Sequence, residues 1–299
     1  MKLLFVVNPI SGGVNKEPFL KQAKKLCHNM GIDFSIFKTT GKNDVIELKA
    51  VLDQYQPDKV ASVGGDGTTL FTSEVLLGSN YPMGIIPLGS ANGMAAELYV
   101  NPVPLEALKE LIMSEVVKGM DMLKVNDKHY TIHIGDVGLN ANIVDDYDKD
   151  PNRGMATYAK YFTERLQVQK AFKGTIVANG ETVEKEGVMF AICNSRKYGT
   201  GVPLNLNGNP MDGQFEIVVV EKIDALSLIK AGLSKLDDKF IDTENAMVIT
   251  TNEAQITFEE PRLLQLDGEV IGMHKTVDVK LLKGAVNLIT SYKNLNIKS

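Results

Sequence analysis

Residues 62–71 read SVGGDGTTLF: the end of an apolar run, three glycines, one aspartate and two threonines. Glycine loses more conformational freedom on folding than any other residue, so a cluster of it implies a specific backbone requirement. Two requirements fit. One is a tight turn; the other is close approach of a ligand to bare backbone, whose N–H groups then hold phosphate. The stretch follows the strand KVASV (59–63) and opens a helix.

On either side, strand and helix alternate. KLLFVV (2–7) is a short apolar run closed by Asn8-Pro9. Phe19, Leu20, Ala23, Leu26, Cys27 and Met30 then recur at helical spacing, and Gly31 is placed to end that helix. DFSIFKTT (33–40) reads as a strand, and NDVIELKAVLDQY (43–55) as a helix with Asn43 in the capping position. MGIIPL (83–88) is a fourth strand, followed by GSANGMAAEL and a longer helix from about Pro104 to Val117. Strict alternation predicts an α/β domain with a parallel, twisted sheet covered on both faces. Such sheets bind ligands at the carboxyl ends of their strands. NPISGG, KTTG, GGDGTT and PLGSANG all fall there.

From about Lys124 the rhythm changes. HYTIHIG, KGTIVANG, GVMFAICNS, QFEIVVVEK, AMVITTN, AQITFEE, RLLQLDGE and TVDVKLL are β-type runs separated by turn residues. Helical insertions are expected only near 155–170 and 224–236. The pattern predicts an antiparallel sandwich or β-rich barrel. The domains are therefore placed at 1–124 (α/β) and 125–299 (β-rich), closely packed because no low-complexity linker separates them. No internal repeat is found.

The 299 residues suit one large domain or two ordinary ones. A net charge of −5 argues against nucleic acid as the main partner, because phosphate backbones attract clustered Lys and Arg. No stretch approaches the apolar length of a membrane span, and MKLLFVVNPISGG lacks the features of a signal peptide. Cys27 and Cys193 sit far apart in apolar settings and read as reduced core residues of a cytoplasmic protein. Four scattered histidines offer no metal cluster.

Asp66 has two readings: near phosphate through Mg²⁺, or capping its own helix. Capping alone does not call for Gly64, Gly65 and Gly67 around it, whereas a phosphate site does. The chain contains no GxxxxGK[ST] loop, no GxGxxG after the first strand and no protein-kinase signature set. No arginine precedes Arg153. Phosphate held by the first domain must therefore rely on backbone N–H groups, Ser/Thr hydroxyls, lysine and metal.

Six motifs occur in one order along almost the whole chain. They are NPISGG at 8–13, Thr39 ahead of GKND, GGDGTTL at 64–70, PLGSANGMAAEL at 87–98, DGQFEIVVVEK at 212–222 and LDGE at 266–269. In this the chain resembles the diacylglycerol kinase catalytic-domain superfamily, in its bacterial soluble lipid kinase branch; sphingosine and ceramide kinases belong to the same superfamily. The resemblance implies a nucleotide domain like that of phosphofructokinase and NAD kinase, followed by a β-sandwich bearing the lipid site. It also implies that the last strand, at about 285–299, returns to the first domain.

Carried over residue by residue, Asn8, Pro9, Ile10, Ser11 and Gly12 match the first ATP loop. Thr39 matches a lone nucleotide contact, and Gly64, Gly65, Asp66, Gly67, Thr68, Thr69 and Leu70 the phosphate loop. Ser90 matches the contact in the fourth loop. Asp212, with Asn209 and Gln214, matches a structural Mg²⁺ site, and the oxygen-rich NLNGNPMDGQ stretch suits a hard cation; the alternative is a polar hairpin turn. Glu269 matches the proton acceptor, with Asp267 two residues earlier and Asp66 as the rival. A positioned carboxylate can take the proton of a lipid hydroxyl as the γ-phosphoryl group moves in line. As a plain hairpin, LDGE would instead be a two-residue turn with exposed acids.

One departure stands out. Where the bacterial branch has Asn-Asp-x-Ala-Arg, this chain has Asn92-Gly93-Met94-Ala95-Ala96, closer to the GSGNALA loop of sphingosine kinases. An acidic and a basic residue are lost together, which leaves no orphaned charge. The expected activity is ATP- and Mg²⁺-dependent phosphorylation of a lipid alcohol, diacylglycerol-like or sphingoid, in phospholipid metabolism. An NAD kinase-type enzyme and a non-catalytic lipid- or nucleotide-binding module are the alternatives, although the one Asn-Glu pair, Asn252-Glu253, falls in an expected hairpin turn. The expected location is cytoplasmic, with peripheral contact at the inner membrane surface. MATYAKYFTERLQVQKAF (155–172) has an amphipathic pattern that suits either lipid contact or packing on a sheet. A homodimer is left open.

Overall fold

The computed structural model describes residues 1–150, 160–161, 164–165, 170–197, 203–205, 208–222 and 246–298. The chain forms two compact units, Met1–Met122 with Lys283–Ser299, and Leu123–Leu282. In the first, β1 (Lys2–Val7), α1 (Glu17–Asn29), β2 (Asp33–Lys38), α2 (Asp44–Tyr55), β3 (Lys59–Gly64), α3 (Asp66–Leu76) and β4 (Met83–Pro87) alternate strictly. The short α4 (Gly93–Glu97), α5 (Pro104–Met113) and β5 (Val117–Val125) follow. The four strands are parallel in the order β4-β3-β1-β2, with Val7 beside Lys38 and Val63, and Gly64 beside Pro87. β1, β3 and β4 are buried nearly end to end because helices cover both faces of the sheet. On one face Leu3, Phe5, Val7, Ala61, Val63 and Ile86 pack with α1 (Phe19, Leu20, Ala23, Cys27) and α5 (Leu108, Leu111). Both cysteines are free and buried, as their apolar settings suggested.

The first unit corrects two details of the sequence reading. Asn43 occupies the N-cap of α2 in a left-handed conformation and makes no capping side-chain bond. Asp44 does related work from inside the helix, its carboxylate accepting the N–H groups of Thr40 (2.9 Å) and Gly41 (2.7 Å). The last helix ends at Met113 rather than near Val117, and the chain turns at once into β5. The Lys59 ammonium donates to the carbonyls of Leu111 (3.0 Å), Ile112 (3.0 Å) and Ser114 (2.7 Å), satisfying the open end of α5. Burial lowers the Lys59 pKa from its ordinary value. Lys59→Met keeps the alkyl stem and strips these carbonyls of their donor; it is expected to cost about 2 kcal/mol in urea unfolding, with an unchanged slope.

The second unit is antiparallel throughout its registered pairs. Its elements are β6 (His129–Thr131), β7 (Ile134–Gly138), α6 (Leu139–Lys149), β8 (Phe172–Ala178), β9 (Glu181–Gly187), β10 (Met189–Cys193), β11 (Phe215–Val220), β12 (Ala246–Thr251), β13 (Glu253–Leu266) and β14 (Glu269–Ile289). The last of these continues into the first unit, where Leu288 pairs in parallel with Met83 of β4. β10 shows the period of two directly. Phe190 and Ile192 enter one core with Phe172, Phe215 and Phe258, while Met189, Ala191 and Cys193 enter another with Ile134, Leu139 and Ile143. The chain is thus an α/β unit with a parallel sheet plus a β-sandwich unit.

Two elements here were not expected. α6 is a helix beyond the two anticipated insertions; its Asn- and Asp-rich sequence carries little helical propensity, and the Asp136 carboxylate just ahead of it accepts the Ala141 N–H in its first turn. β9 reads ETVEKEG and is mostly exposed, so it lacks the apolar alternation of its neighbours. The helix anticipated at 224–236 lies outside the described residues, as does most of 155–170.

Candidate active site

Strand order places a topological switch between β1 and β3: the chain leaves β1 toward β2 and leaves β3 toward β4. Ligands bind open parallel sheets in the crevice at such a point. Both adjacent loops are the Gly-rich ones. After β1, the Asn8 N–H donates to Val63 O (3.2 Å) and its Oδ1 accepts the Ile10 N–H (3.2 Å), folding the loop back. Pro9 is exposed and Ile10 is 84% exposed. The Ser11 hydroxyl accepts the Gly65 N–H (3.1 Å), which joins the first loop to the second. Thr39 follows β2, half-buried, its N–H donating to Val7 O (2.9 Å).

The second loop explains its glycines unequally. A side chain on Gly64 would run into Thr68, and one on Gly89 of the fourth loop would collide with Gly65. Gly89 and Gly65 serve loop-to-loop packing, whereas Gly64 leaves room for Thr68 in the first turn of α3. Gly67 is different: it faces open space and is exposed. It lies in the first turn of α3, where N–H groups have no partner inside the helix, the ordinary setting for an anion. Thr68 and Thr69 are buried, the Thr69 hydroxyl donating to Gly65 O (3.2 Å), while Leu70 is half-buried. The Thr69 hydroxyl therefore supports the loop, whereas the Thr68 hydroxyl is buried with no hydrogen-bond partner among the described residues.

Asp66 does not cap its own helix. Its carboxylate accepts the N–H of Gly93 (3.0 Å) and of Met94 (2.8 Å), so it ties the second loop to the start of α4. Asn92 completes that fourth loop from a left-handed position, its side chain bonding both the N–H and the carbonyl of Gly89. Ser90 stands exposed beside it. The sequence required a lysine here but singled none out, and the structure supplies Lys16. Only 3% exposed, it sends its ammonium to the carbonyls of Ser11 and Val14 (2.8 Å for the latter), and burial lowers its pKa. The signal was a lysine between a Gly-rich loop and a helix start.

Gly12 has φ +63°, and a Cβ there would lie 2.6 Å from Ser90 N and 2.8 Å from Gly89 C. Gly12→Ala is expected to push the first and fourth loops apart and lower stability by about 1–3 kcal/mol, since both backbone strain and a backbone clash must be relieved. A urea unfolding series checks this; unchanged stability would show that the loop contact is dispensable.

In the second unit, Leu266 and Glu269 pair across a turn with φ +50° at Asp267 and +87° at Gly268. The Asp267 carboxylate accepts Thr131 Oγ1–H (2.5 Å), Ile132 N–H (3.0 Å) and His133 N–H (3.1 Å). Its oxygens hold structure. The Glu269 side chain is exposed and makes no hydrogen bond among the described residues. Of the two carboxylates, it is the one open to an incoming proton.

Asn209, Asp212 and Gln214 come together in one turn. Asn209 Oδ1 accepts the Met211 N–H (3.0 Å), and Asp212 Oδ1 accepts the Gln214 N–H (2.9 Å). Gly208 packs so closely that a Cβ would meet the Ser195 carbonyl at 2.5–2.6 Å. Glu216 beside the turn is buried, its pKa pushed up to about 6 by burial, opposed by a hydrogen bond from Asn205 (2.5 Å) and aided by the Asp212 charge. Among the described residues no group of three His, Cys, Asp or Glu side chains could hold a metal. One carboxylate with amide and carbonyl oxygens still fits a magnesium ion that keeps several waters.

Of the amphipathic stretch, Lys160, Tyr161, Glu164, Arg165, Lys170, Ala171 and Phe172 are described. Tyr161 packs on the core beneath α6, and Arg165 is held by Asp146 (2.5 and 2.7 Å). No helix among the described residues is long and apolar enough to cross a membrane.

Residues 2–125 match the family model described as the diacylglycerol kinase catalytic domain. Residues 135–290 match the YegS C-terminal NAD kinase beta sandwich-like domain. The chain is 32% identical over 234 residues to a Staphylococcus carnosus protein named "Putative lipid kinase", covering 76% of this chain and 75% of that one. It is 22% identical over 276 residues to a Bacillus subtilis diacylglycerol kinase, covering 90% and 89%. Its fold is like that of a diacylglycerol kinase crystal structure from Bacillus anthracis, with TM-score 0.74, 22% identity and 98% of each chain covered. With both family models accounting for its two halves, the chain belongs to the diacylglycerol kinase-like family of lipid kinases.

Proposed function

We propose that the protein transfers the γ-phosphoryl group of ATP to the hydroxyl of a diacylglycerol-like or sphingoid lipid. The observation that carries this reading is the cradle at the β1/β3 switch: three loops tied to each other by Ser11, Asp66 and Gly65–Gly89 packing, with Gly67 open at a helix start. In this reading the N–H groups at the start of α3 hold phosphate, with Lys16 holding the first loop in shape. The lipid hydroxyl oxygen forms its bond to the γ-phosphorus as the bond to the β–γ bridging oxygen breaks, and ADP leaves with that oxygen. Glu269 accepts the hydroxyl proton. Bound magnesium would neutralise charge on the transferring phosphates. A structural magnesium would be held by Asp212, Asn209 and Gln214.

The reading predicts that ATP consumption needs magnesium and is stimulated by micelles carrying lipid alcohols. ATP turnover indifferent to lipid would overturn it. Asp212→Ala is expected to lower activity several-fold at limiting magnesium, with recovery as magnesium rises, because metal would stiffen the turn it closes. Full activity with an unchanged magnesium profile would remove the structural metal from the account. Contact with a membrane surface is part of the same proposal only through the lipid substrate, which must be drawn from a bilayer.

A further inference from the structure

The register of β13 on β7 sets Gln265 directly opposite Asp136, in a sandwich wall whose neighbouring pair, Leu264 and Val137, is apolar. Both polar side chains are fully buried. Burying such a pair costs desolvation that two apolar residues would avoid, so its presence calls for a reason other than stability. The connections supply one. Gln265 Nε2 donates to Asp136 Oδ2, and Gln265 Oε1 accepts the Gly268 N–H at 2.8 Å. Only this amide orientation works, because a carboxylate needs a donor and an N–H needs an acceptor. Asp136 is fixed in turn by the Ala141 N–H (2.9 Å) and Asn140 Nδ2 (2.8 Å), the first turn of α6.

Gly268 is the residue immediately before Glu269. Its partner in the turn, Asp267, is anchored separately by the Thr131–His133 segment. The β13–β14 register also slips beside this point: Leu264 pairs with Gly272, whereas Gln265 pairs with Val270. Such a bulge re-aims the side chains next to it. An exposed two-residue turn would ordinarily flex; this one is pinned on both sides by buried groups.

We propose that Gln265 and Asp136 are positioning residues for phosphoryl transfer, forming a buried bridge from the N-terminus of α6 to the turn backbone that sets where the Glu269 carboxylate sits. The proposal rests on the reading of Glu269 as proton acceptor. It explains a carboxylate and an amide in an otherwise apolar wall, and gives α6 a role in the reaction without a side chain of its own at the reacting atoms.

The test is a double-mutant cycle in the full-length protein, read with γ-labelled ATP and mixed micelles of dioleoylglycerol and sphingosine. Gln265→Met conserves volume and removes both hydrogen bonds. It is expected to lower kcat roughly 10²-fold, the usual consequence of misplacing a reacting group by about an ångström, with KM for ATP unchanged. In a Glu269→Gln background the same change is expected to have no further effect. An equal loss in both backgrounds, or no loss in either, overturns the positioning role and leaves the base assignment standing. Wild-type turnover in Glu269→Gln alone removes the base assignment, and the proposal falls with it. Should Gln265→Met fail to fold, the Gly268 amide of the native protein decides: slow hydrogen exchange supports the bridge, and exchange at the rate of an open turn overturns it.

Discussion

Glu269→Gln is expected to lower kcat by roughly 10²–10⁴-fold, the ordinary worth of a general base, while the dissociation constant for ATP stays unchanged. The side chain is exposed and makes no hydrogen bond among the described residues, so an isosteric amide leaves the hairpin as it was. Only the ability to take a proton is lost, and only the chemical step suffers. Asp267 is the control. With three donors on its carboxylate, Asp267→Asn is expected to loosen the turn and lower thermal stability as well as turnover. Single-turnover rates and ATP titrations on both variants separate the two roles. A Glu269→Gln enzyme with wild-type kcat would hand the base assignment to Asp66.

Asp66 is expected to behave in a third way. Asp66→Ala abolishes turnover in a protein that remains folded, and Asp66→Asn weakens ATP binding and turnover together. The carboxylate accepts two backbone N–H groups at the start of α4. An amide keeps one acceptor and turns an NH₂ toward the other N–H. Hydrogen bonds to a charged group contribute about 1.5–3 kcal/mol each, so losing one is expected to reduce ATP affinity on the order of tenfold or more. Calorimetric titration with a circular-dichroism melt measures both quantities. Unchanged ATP affinity in Asp66→Asn would mean that the tie between the second and fourth loops does not shape the nucleotide site.

Much of this was readable in the sequence, for a physical reason. A parallel sheet covered on both faces must be continuously apolar, and its loops must carry the polar chemistry, so β1, β3 and β4 and the loops after them stood out together. The free, buried cysteines followed from their apolar neighbours in the same way. What sequence could not display was partnership across the chain. Asp66 reads locally as a cap or a phosphate residue, yet its partners are 27 and 28 residues away. Gly65 looks like a ligand-facing glycine, but packing on Gly89, 24 residues on, requires it. Asp136 and Gln265 are 129 positions apart and meet only through the β7–β13 register. The start of α6 is held locally, by Asp136 four and five residues before its partners, in a segment whose own propensities do not announce a helix.

The central claim, phosphoryl transfer from ATP to a lipid alcohol, is tested most directly by product identification. Wild-type protein is mixed with γ-labelled ATP, magnesium and mixed micelles of diacylglycerol and sphingoid alcohols, and the lipid fraction is analysed by mass spectrometry. The account predicts a labelled lipid phosphate monoester formed one-for-one with ADP, lost on chelation of magnesium and strongly reduced in Glu269→Gln. ADP and inorganic phosphate appearing with no phosphorylated lipid would contradict it.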